Sequence, residues 1–138
     1  MIRAAIILLA AAAPAAAQQP VLTFSSGKSL PLAPGQWSYS QAPTGSVATF
    51  GNQLTIRCDR ASRTVTIAKP AVAVAALTII TDTQTRTLPP NGRLSAQDPL
   101  LDAITFSRGR FLVSGGIGGV LALPSWPEAG RAVEDCRN

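Results

Sequence analysis

Hydrophobic and polar residues alternate along several short stretches of this chain, most regularly over residues 54–59. The apolar members of that stretch are Leu54, Ile56 and Cys58, which would share one face of a half-buried strand. Residues 63–68 repeat the alternation, with Val65 and Ile67 facing inward. Polar residues between the two stretches have the composition of a loop, so the pattern predicts a β-hairpin over residues 54–68.

Other short apolar stretches lie between turn residues and predict further strands. They are residues 36–40, 47–50, 77–81, 85–88, 110–114 and 120–123. The glycine-rich run at residues 115–119 predicts the turn of a hairpin. It lacks the Lys-Ser/Thr sequence that follows the glycines of a phosphate-binding loop, and a strand rather than a helix follows it.

Residues 18–35 contain Pro20, Pro31 and Pro34, which a continuous helix would not accommodate. This Pro-, Ser- and Gly-rich segment is predicted to be an extended lead-in. Residues 21–24 within it have the composition of an edge strand.

Two helix starts follow in the second half of the chain. Asp98 precedes Pro99, and its carboxylate would accept a hydrogen bond at the start of a helix. Proline suits the first position of that helix because it has no N–H that would need a partner. Ser125 and Glu128 have the spacing of a capping box. The residues that would form the buried face of this last helix are Trp126, Ala129, Val133 and Cys136.

Cys58 and Cys136 are the only cysteines, and their even number predicts a disulfide in an exported protein. A redox pair usually has its cysteines close in sequence, so a structural bond is the better interpretation. The disulfide would hold the last helix against the strand at residues 54–59. We therefore predict an α+β fold: an antiparallel β-sheet or small β-sandwich with one or two short helices near the C-terminus.

The N-terminus has the three parts of a secretory signal peptide. Arg3 precedes an apolar stretch, and Pro14 and a run of alanines follow it. The apolar stretch is shorter than the about 20 residues that a membrane-spanning helix needs. We expect cleavage after Ala17, no membrane span afterwards, and a periplasmic or secreted protein. The predicted organisation is a signal peptide at 1–17, the lead-in at 18–35 and one β-rich domain at 36–138.

The chain is basic, with a formal net charge of +5, and loss of Arg3 leaves about +4. An acidic ligand such as lipid phosphate or an anionic glycan would contact exposed arginines. The candidate residues are Arg57, Arg63, Arg86, Arg108 and Arg110. Aromatic residues are few and are not interleaved with these arginines, so the stacking surface of a nucleic-acid-binding protein is missing.

Residues for catalysis are scarce. The chain contains no histidine, which removes the commonest general base and zinc ligand. Asp98 and Glu128 are expected to cap helices, and Lys28 and Lys69 lie outside any Ser–Lys motif. We therefore predict no catalytic residue, no bound metal or cofactor, and no enzymatic activity.

The C-terminal third of the chain resembles small periplasmic proteins of Gram-negative bacteria. It contains the run LLDAITFSRGRFLVSGGIGGVLALPSWPEAGRAVEDCRN, in which a short apolar helix precedes two strands joined by glycines and a last helix that ends near a cysteine. In outline it is similar to the invasion-associated locus B family, to periplasmic accessory proteins of type VI secretion and to exported proteins of alphaproteobacteria. The locus B family has more cysteines than this chain. The resemblance implies an envelope location and a β-rich fold, but no activity.

Two hypotheses for the function follow. The first is a non-enzymatic protein that acts in the cell envelope by contact with an envelope protein or another envelope component. The alternative is a binding module for an acidic ligand, which would use the surface arginines.

Overall fold

The computed structural model describes residues 11–16, 20–70, 76–116 and 118–138. These residues form a β-rich fold with two antiparallel sheets and three short helices. The helices are α1 (Phe24–Gly27), α2 (Pro99–Phe106) and α3 (Pro127–Arg137). The strands are β1 (Trp37–Ala42), β2 (Gly45–Phe50), β3 (Leu54–Asp59), β4 (Thr64–Ala68), β5 (Thr78–Ile80), β6 (Thr85–Thr87), β7 (Arg93–Ser95), β8 (Arg110–Ser114) and β9 (Leu121–Pro124).

The large sheet has the strand order β1-β2-β3-β4-β7, and the small sheet has the order β6-β5-β8-β9. The predicted hairpin over residues 54–68 is confirmed, with Cys58 opposite Val65 in the register of β3 and β4. The hairpin predicted at the glycine-rich run is present as β8–β9. β5 and β6 lie within the strands predicted at residues 77–81 and 85–88, and they pair as a second hairpin. β7 was not among the predicted strands.

A buried lysine holds the glycine-rich turn that follows β8. Lys69 is only 6% exposed, and its Nζ donates hydrogen bonds to the carbonyl oxygens of Gly115 at 2.7 Å and Gly119 at 3.1 Å. Burial lowers the pKa of Lys69, because it disfavours the charged amine. Gly115 has a φ of 107°, and a Cβ there would collide with the carbonyl oxygen of Ala76. The turn therefore requires glycine at this position.

Both sheets and the two C-terminal helices share one hydrophobic core. Trp37 joins the sheets within it. Its ring lies 5.4 Å from that of Phe50 in the large sheet and 6.4 Å from that of Phe111 in the small sheet. The indole Nε1 also donates a 2.8 Å hydrogen bond to the carbonyl oxygen of Pro124 in β9. A single side chain thus contacts both sheets through packing and through a hydrogen bond.

The predicted disulfide between Cys58 and Cys136 is confirmed, with a Cα–Cα distance of 5.5 Å. It joins α3 to β3, and α3 packs across β1, β2 and β3. Gly130 of α3 faces Thr105 of α2, whose methyl carbon would lie 2.8 Å from a Cβ at that glycine. The two C-terminal helices therefore approach closely enough to share one end of the core.

The prediction of an edge strand at residues 21–24 is wrong, because α1 begins at Phe24. Thr23 and Ser26 form a reciprocal capping box that stabilises this single helical turn. The segment packs on the outer face of the small sheet, against a cluster formed by Ile80, Leu112 and Ala122. Its packing residues are Leu22, Phe24 and Leu30.

The start of α2 is as predicted, with the Asp98 side chain accepting a hydrogen bond from Leu100 N at 2.9 Å. The predicted capping box of α3 is wrong. Pro127 takes the first helical position, so Trp126 becomes the N-cap and makes no side-chain capping bond. Ser125 Oγ and Glu128 Oε2 have no hydrogen-bond partner among the described residues.

Trp126 was expected on the buried face of α3, but its side chain is 43% exposed. The residue before a proline adopts extended backbone, and Trp126 has a φ of −94° and a ψ of 162°. It therefore lies outside the helical turn that its spacing implied. The buried residues of α3 are Ala129, Gly130, Ala132, Val133 and Cys136.

No helix within the described parts of the chain is both long and apolar enough to cross a bilayer. Most of the predicted signal peptide, including Ala17, lies outside the described residues. Cleavage after Ala17 stays a prediction.

The two tryptophans should differ in their contribution to stability. Trp37→Ala should lower the free energy of unfolding by about 3–5 kcal/mol, the usual loss for a buried large aromatic residue. Trp126→Ala should lower it by less than about 1 kcal/mol, because much of that ring stays in contact with water in the folded protein. Urea denaturation followed by far-UV circular dichroism measures both values. Equal losses would contradict the different burial of the two rings.

Candidate functional site

The five arginines predicted to contact an acidic ligand do not lie together. Arg86, Arg108 and Arg110 belong to the part of the molecule around the small sheet. Arg86 Nη2 lies 2.6 Å from Asp98 Oδ1, and Arg108 Nε lies 3.6 Å from Asp82 Oδ2. Arg110 Nη1 donates a 2.6 Å hydrogen bond to a backbone carbonyl of the N-terminal segment. Arg86 and Arg110 thus have bonded partners within the protein.

The other two predicted arginines lie on the large sheet. Arg57 is exposed on the outer face of β3, and Arg63 lies in the β3–β4 loop with a φ of 50°. Thr66 is the register partner of Arg57 on one side and of Arg93 on the other. Arg57 and Arg93 therefore flank Thr66 in one row across the sheet. Arg93 was not among the predicted contact residues.

A first groove lies between α1 and the turn of the β5–β6 hairpin, with a volume of about 630 Å³. Its charged lining residues are Lys28, Asp82 and Arg108, and threonine hydroxyls supply much of the remaining polar surface. Asp82 Oδ1 has no hydrogen-bond partner among the described residues. That atom is buried below the groove surface, so it is not accessible to a ligand in this conformation.

A second groove, which we call the aromatic groove, lies between β1, α3 and the end of α2 and has a volume of about 510 Å³. Its lining residues are Tyr39, Gln41, Thr105, Phe106, Pro127, Gly130, Arg131, Glu134 and Asp135. Phe106, a large apolar residue, is 77% exposed at the end of α2. The aromatic groove thus presents an exposed aromatic ring beside charged residues.

The backbone positions these groups through simple periodicities. Trp37, Tyr39 and Gln41 alternate with exposed residues of β1, so their side chains lie on the same face of the strand. Phe106 ends α2 outside its buried stripe of Leu100, Leu101 and Ile104. The close approach of Thr105 to Gly130 then brings the end of α2 beside α3.

Tyr39 is the centre of the polar contacts in the groove. Its hydroxyl donates a hydrogen bond to Asp135 Oδ2, and the guanidinium carbon of Arg131 lies 4.4 Å from its ring centroid. This distance is typical of a cation–π contact. Burial by itself would raise the pKa of Asp135, but hydrogen bonding by Tyr39 and the charge of Arg60 outweigh it and lower the pKa. Asp135 therefore remains charged at neutral pH.

The carboxylates of Asp98 and Asp102, which lie four residues apart in the sequence, both have partners within the protein. Asp98 caps α2 and contacts Arg86, and Asp102 Oδ1 lies 2.7 Å from Arg137 Nη1. In the described parts of the chain, no group of three or more His, Cys, Asp or Glu residues is arranged to hold a metal ion.

Sequence reasoning missed Phe106, Tyr39 and Arg131 as site residues. Phe106 had a detectable signal, since it lies off the apolar stripe of its own helix. Tyr39 and Arg131 are far apart in sequence, and only the packing of α3 on β1 brings them together.

Comparison with known proteins identified no relatives: no family model, no curated protein and no solved structure matched this chain.

The hydrogen bond between Tyr39 and Asp135 should make a pH-dependent contribution to stability. Because the folded pKa of Asp135 lies below its ordinary value of 3.8, the contribution is present above that pH and is lost as pH falls through the folded pKa. Tyr39→Phe keeps the ring under Arg131 but removes the hydroxyl. It should cost about 1 kcal/mol at pH 7, the usual net value of one hydrogen bond.

Urea denaturation at pH 7 and at a series of values below pH 3.8 tests this expectation. The difference in stability between the wild type and Tyr39→Phe should shrink as pH falls. Asp135→Asn is the control, and it should weaken the acid dependence of stability. An undiminished difference at low pH would contradict the assignment to the carboxylate.

Proposed function

We propose that this protein is a non-enzymatic component of the cell envelope that acts by binding another protein through the aromatic groove. The observation that carries the proposal is the 77% exposure of Phe106 beside Tyr39 and Arg131. Aromatic residues and arginine are the residues most enriched at the energetic centres of protein interfaces. Burying Phe106 against a partner would remove most of its apolar surface from water, a gain of about 1.5–3 kcal/mol.

The compartment is part of the same proposal. The Cys58–Cys136 disulfide is compatible with an oxidising compartment, since such bonds persist mainly outside the cytosol. The signal-peptide pattern of residues 1–17 and the resemblance to periplasmic proteins lead to the same expectation. Together these observations favour the periplasm or the cell surface as the place of contact.

Site-specific photo-crosslinking in the native host tests the proposal. A benzophenone amino acid replaces Phe106 in one strain and Leu32 in a control strain, because Leu32 is also exposed, at 46%, but lies on the N-terminal segment. Crosslinking at position 106 should give one defined protein adduct that is absent at position 32. No adduct at position 106, or the same adducts at both positions, would contradict the proposed function.

A second candidate function is the binding of an acidic ligand on the outer face of the large sheet. It is favoured by the row formed by Arg57, Thr66 and Arg93, and by the net charge of +5. The guanidinium groups of these two arginines supply the donors that a phosphate or carboxylate accepts, and one nitrogen of Arg93 also donates to the hydroxyl of Thr64 at 3.2 Å.

Binding to vesicles that contain an anionic phospholipid tests this candidate. The wild type should bind at low salt and dissociate as salt rises, because surface charges are screened. The double variant Arg57→Gln and Arg93→Gln should bind less than a control with Arg86→Gln and Arg108→Gln, which loses the same charge from the small-sheet side. Salt-independent binding, or equal losses in the two double variants, would contradict it.

A further inference from the structure

The four strands at the sheet edges differ in how well they are protected against pairing with another chain. β6 and β7 have only three residues each, and both contain an arginine. β9 ends at Pro124, and Ala122 O accepts a 2.8 Å hydrogen bond from Ala33 N of the N-terminal segment. Short strands, charges, prolines and covering segments are the usual means of blocking an edge.

Within the described residues, β1 lacks these protections. It has six residues with the sequence WSYSQA, which contains no charge and no proline. It is the outermost strand of the large sheet, and its second, fourth, fifth and sixth residues are exposed. β1 is therefore the edge on which an added strand would meet the least resistance.

The register shows which backbone groups of β1 face outward. Gly51 N donates to Gln36 O, so residue 36 forms a hydrogen-bonded pair with residue 51 in the β1–β2 ladder. Hydrogen-bonded pairs alternate along an antiparallel ladder. The N–H and C=O groups of Trp37, Tyr39 and Gln41 therefore point away from β2, toward the open edge.

The side chains of Tyr39 and Gln41 also line the aromatic groove. A strand that paired with the outward groups of β1 would place every second side chain on the groove side, within reach of Phe106. Main-chain bonds for affinity and a groove for alternate side chains are the two parts of peptide recognition by strand addition.

The net charge of +5 favours an acidic occupant, because it attracts an acidic protein at long range. The groove itself contains two carboxylates, and both have partners: Asp135 accepts the hydrogen bond from Tyr39, and Glu134 lies 3.4 Å from Arg137. Arg131 forms no ion pair with any described residue, and Arg60 Nη1 donates to Ala42 O at the end of β1. A second copy of this chain would carry the same net charge of +5 and would be repelled at long range.

We propose that the open edge of β1 binds an extended segment of an acidic partner protein. The segment adds as an antiparallel or parallel strand, places an apolar side chain against Phe106 and places a carboxylate against Arg131. This inference rests on the proposed function and specifies how the partner is recognised.

The main test removes one outward N–H from β1. Gln41→Pro removes that donor and the exposed side chain, whereas Gln41→Ala removes only the side chain. Proline is tolerated where the N–H of an edge strand faces solvent, so both variants should fold, and circular dichroism checks this. The readout is the amount of the protein adduct formed from benzophenone at position 106, in cells that produce the full chain.

Gln41→Pro should reduce the adduct about three- to tenfold, as expected from the loss of one main-chain hydrogen bond. Gln41→Ala, which keeps the N–H, should reduce it less than Gln41→Pro does, and the difference between the two variants measures the contribution of the N–H. Arg131→Gln should also reduce it, whereas Arg57→Gln, which removes a charge from the opposite face of the large sheet, should not. Mass spectrometry of the adduct should identify an acidic protein attached through a segment that contains Asp or Glu.

The failure of this inference is distinguishable from the failure of the proposed function. A strong adduct at position 106 that is unchanged by Gln41→Pro would overturn strand addition and leave protein binding at the groove intact. An adduct with a second copy of this chain, or with another segment of the same chain, would overturn the acidic partner. Absence of any adduct at position 106 would overturn the proposed function itself.

Discussion

The contact of Trp37 with both sheets is the interaction on which the rest of this structure depends. Its ring packs between Phe50 and Phe111, and its Nε1 bonds to Pro124 O. Packing alone would allow the sheets to slide, but a buried indole N–H needs its acceptor at a defined position. Because Trp37 begins β1, fixing its side chain also fixes the face on which Tyr39 and Gln41 lie. The aromatic groove is therefore built on the same alternation that joins the sheets.

Helix α3 forms the other wall of that groove, and its position follows from the disulfide and from small residues. The Cys58–Cys136 bond closes a loop with a sequence separation of 78. In the chain-entropy model, such a bond stabilises the fold by roughly 4 kcal/mol. Ala129, Gly130 and Ala132 let the helix lie close to the sheet and to Thr105 of α2. One consequence is that Phe106, at the end of α2, lies beside Arg131 and Pro127.

Segments of the chain itself cover or block most of the apolar faces and strand edges of the two sheets. The N-terminal segment packs its apolar residues on the outer face of the small sheet, and Arg110 fastens that segment through Leu30 O. Three of the four edge strands are short, charged, or end in proline. The unprotected strand β1, with its six uncharged residues, and the exposed ring of Phe106 both lie beside the aromatic groove. Their coincidence is the reason for assigning the protein's contact function to this side of the large sheet.

The sequence by itself determined the local elements whose signals lie within a few residues. The hairpin over residues 54–68, the Asp98 cap and the pairing of the only two cysteines could all be predicted, because alternation, capping and cysteine number are local or countable properties. The start of α3 was mispredicted because two local signals competed, and Pro127 shifted the helix start past Ser125 and moved Trp126 out of the buried face. Only the tertiary structure decided which arginines bond to other groups of the protein and which sheet edge stays open. It also decided the contacts of Tyr39 with Arg131 and Asp135. These features depend on contacts between residues far apart in the chain, and no periodicity along the sequence records such contacts.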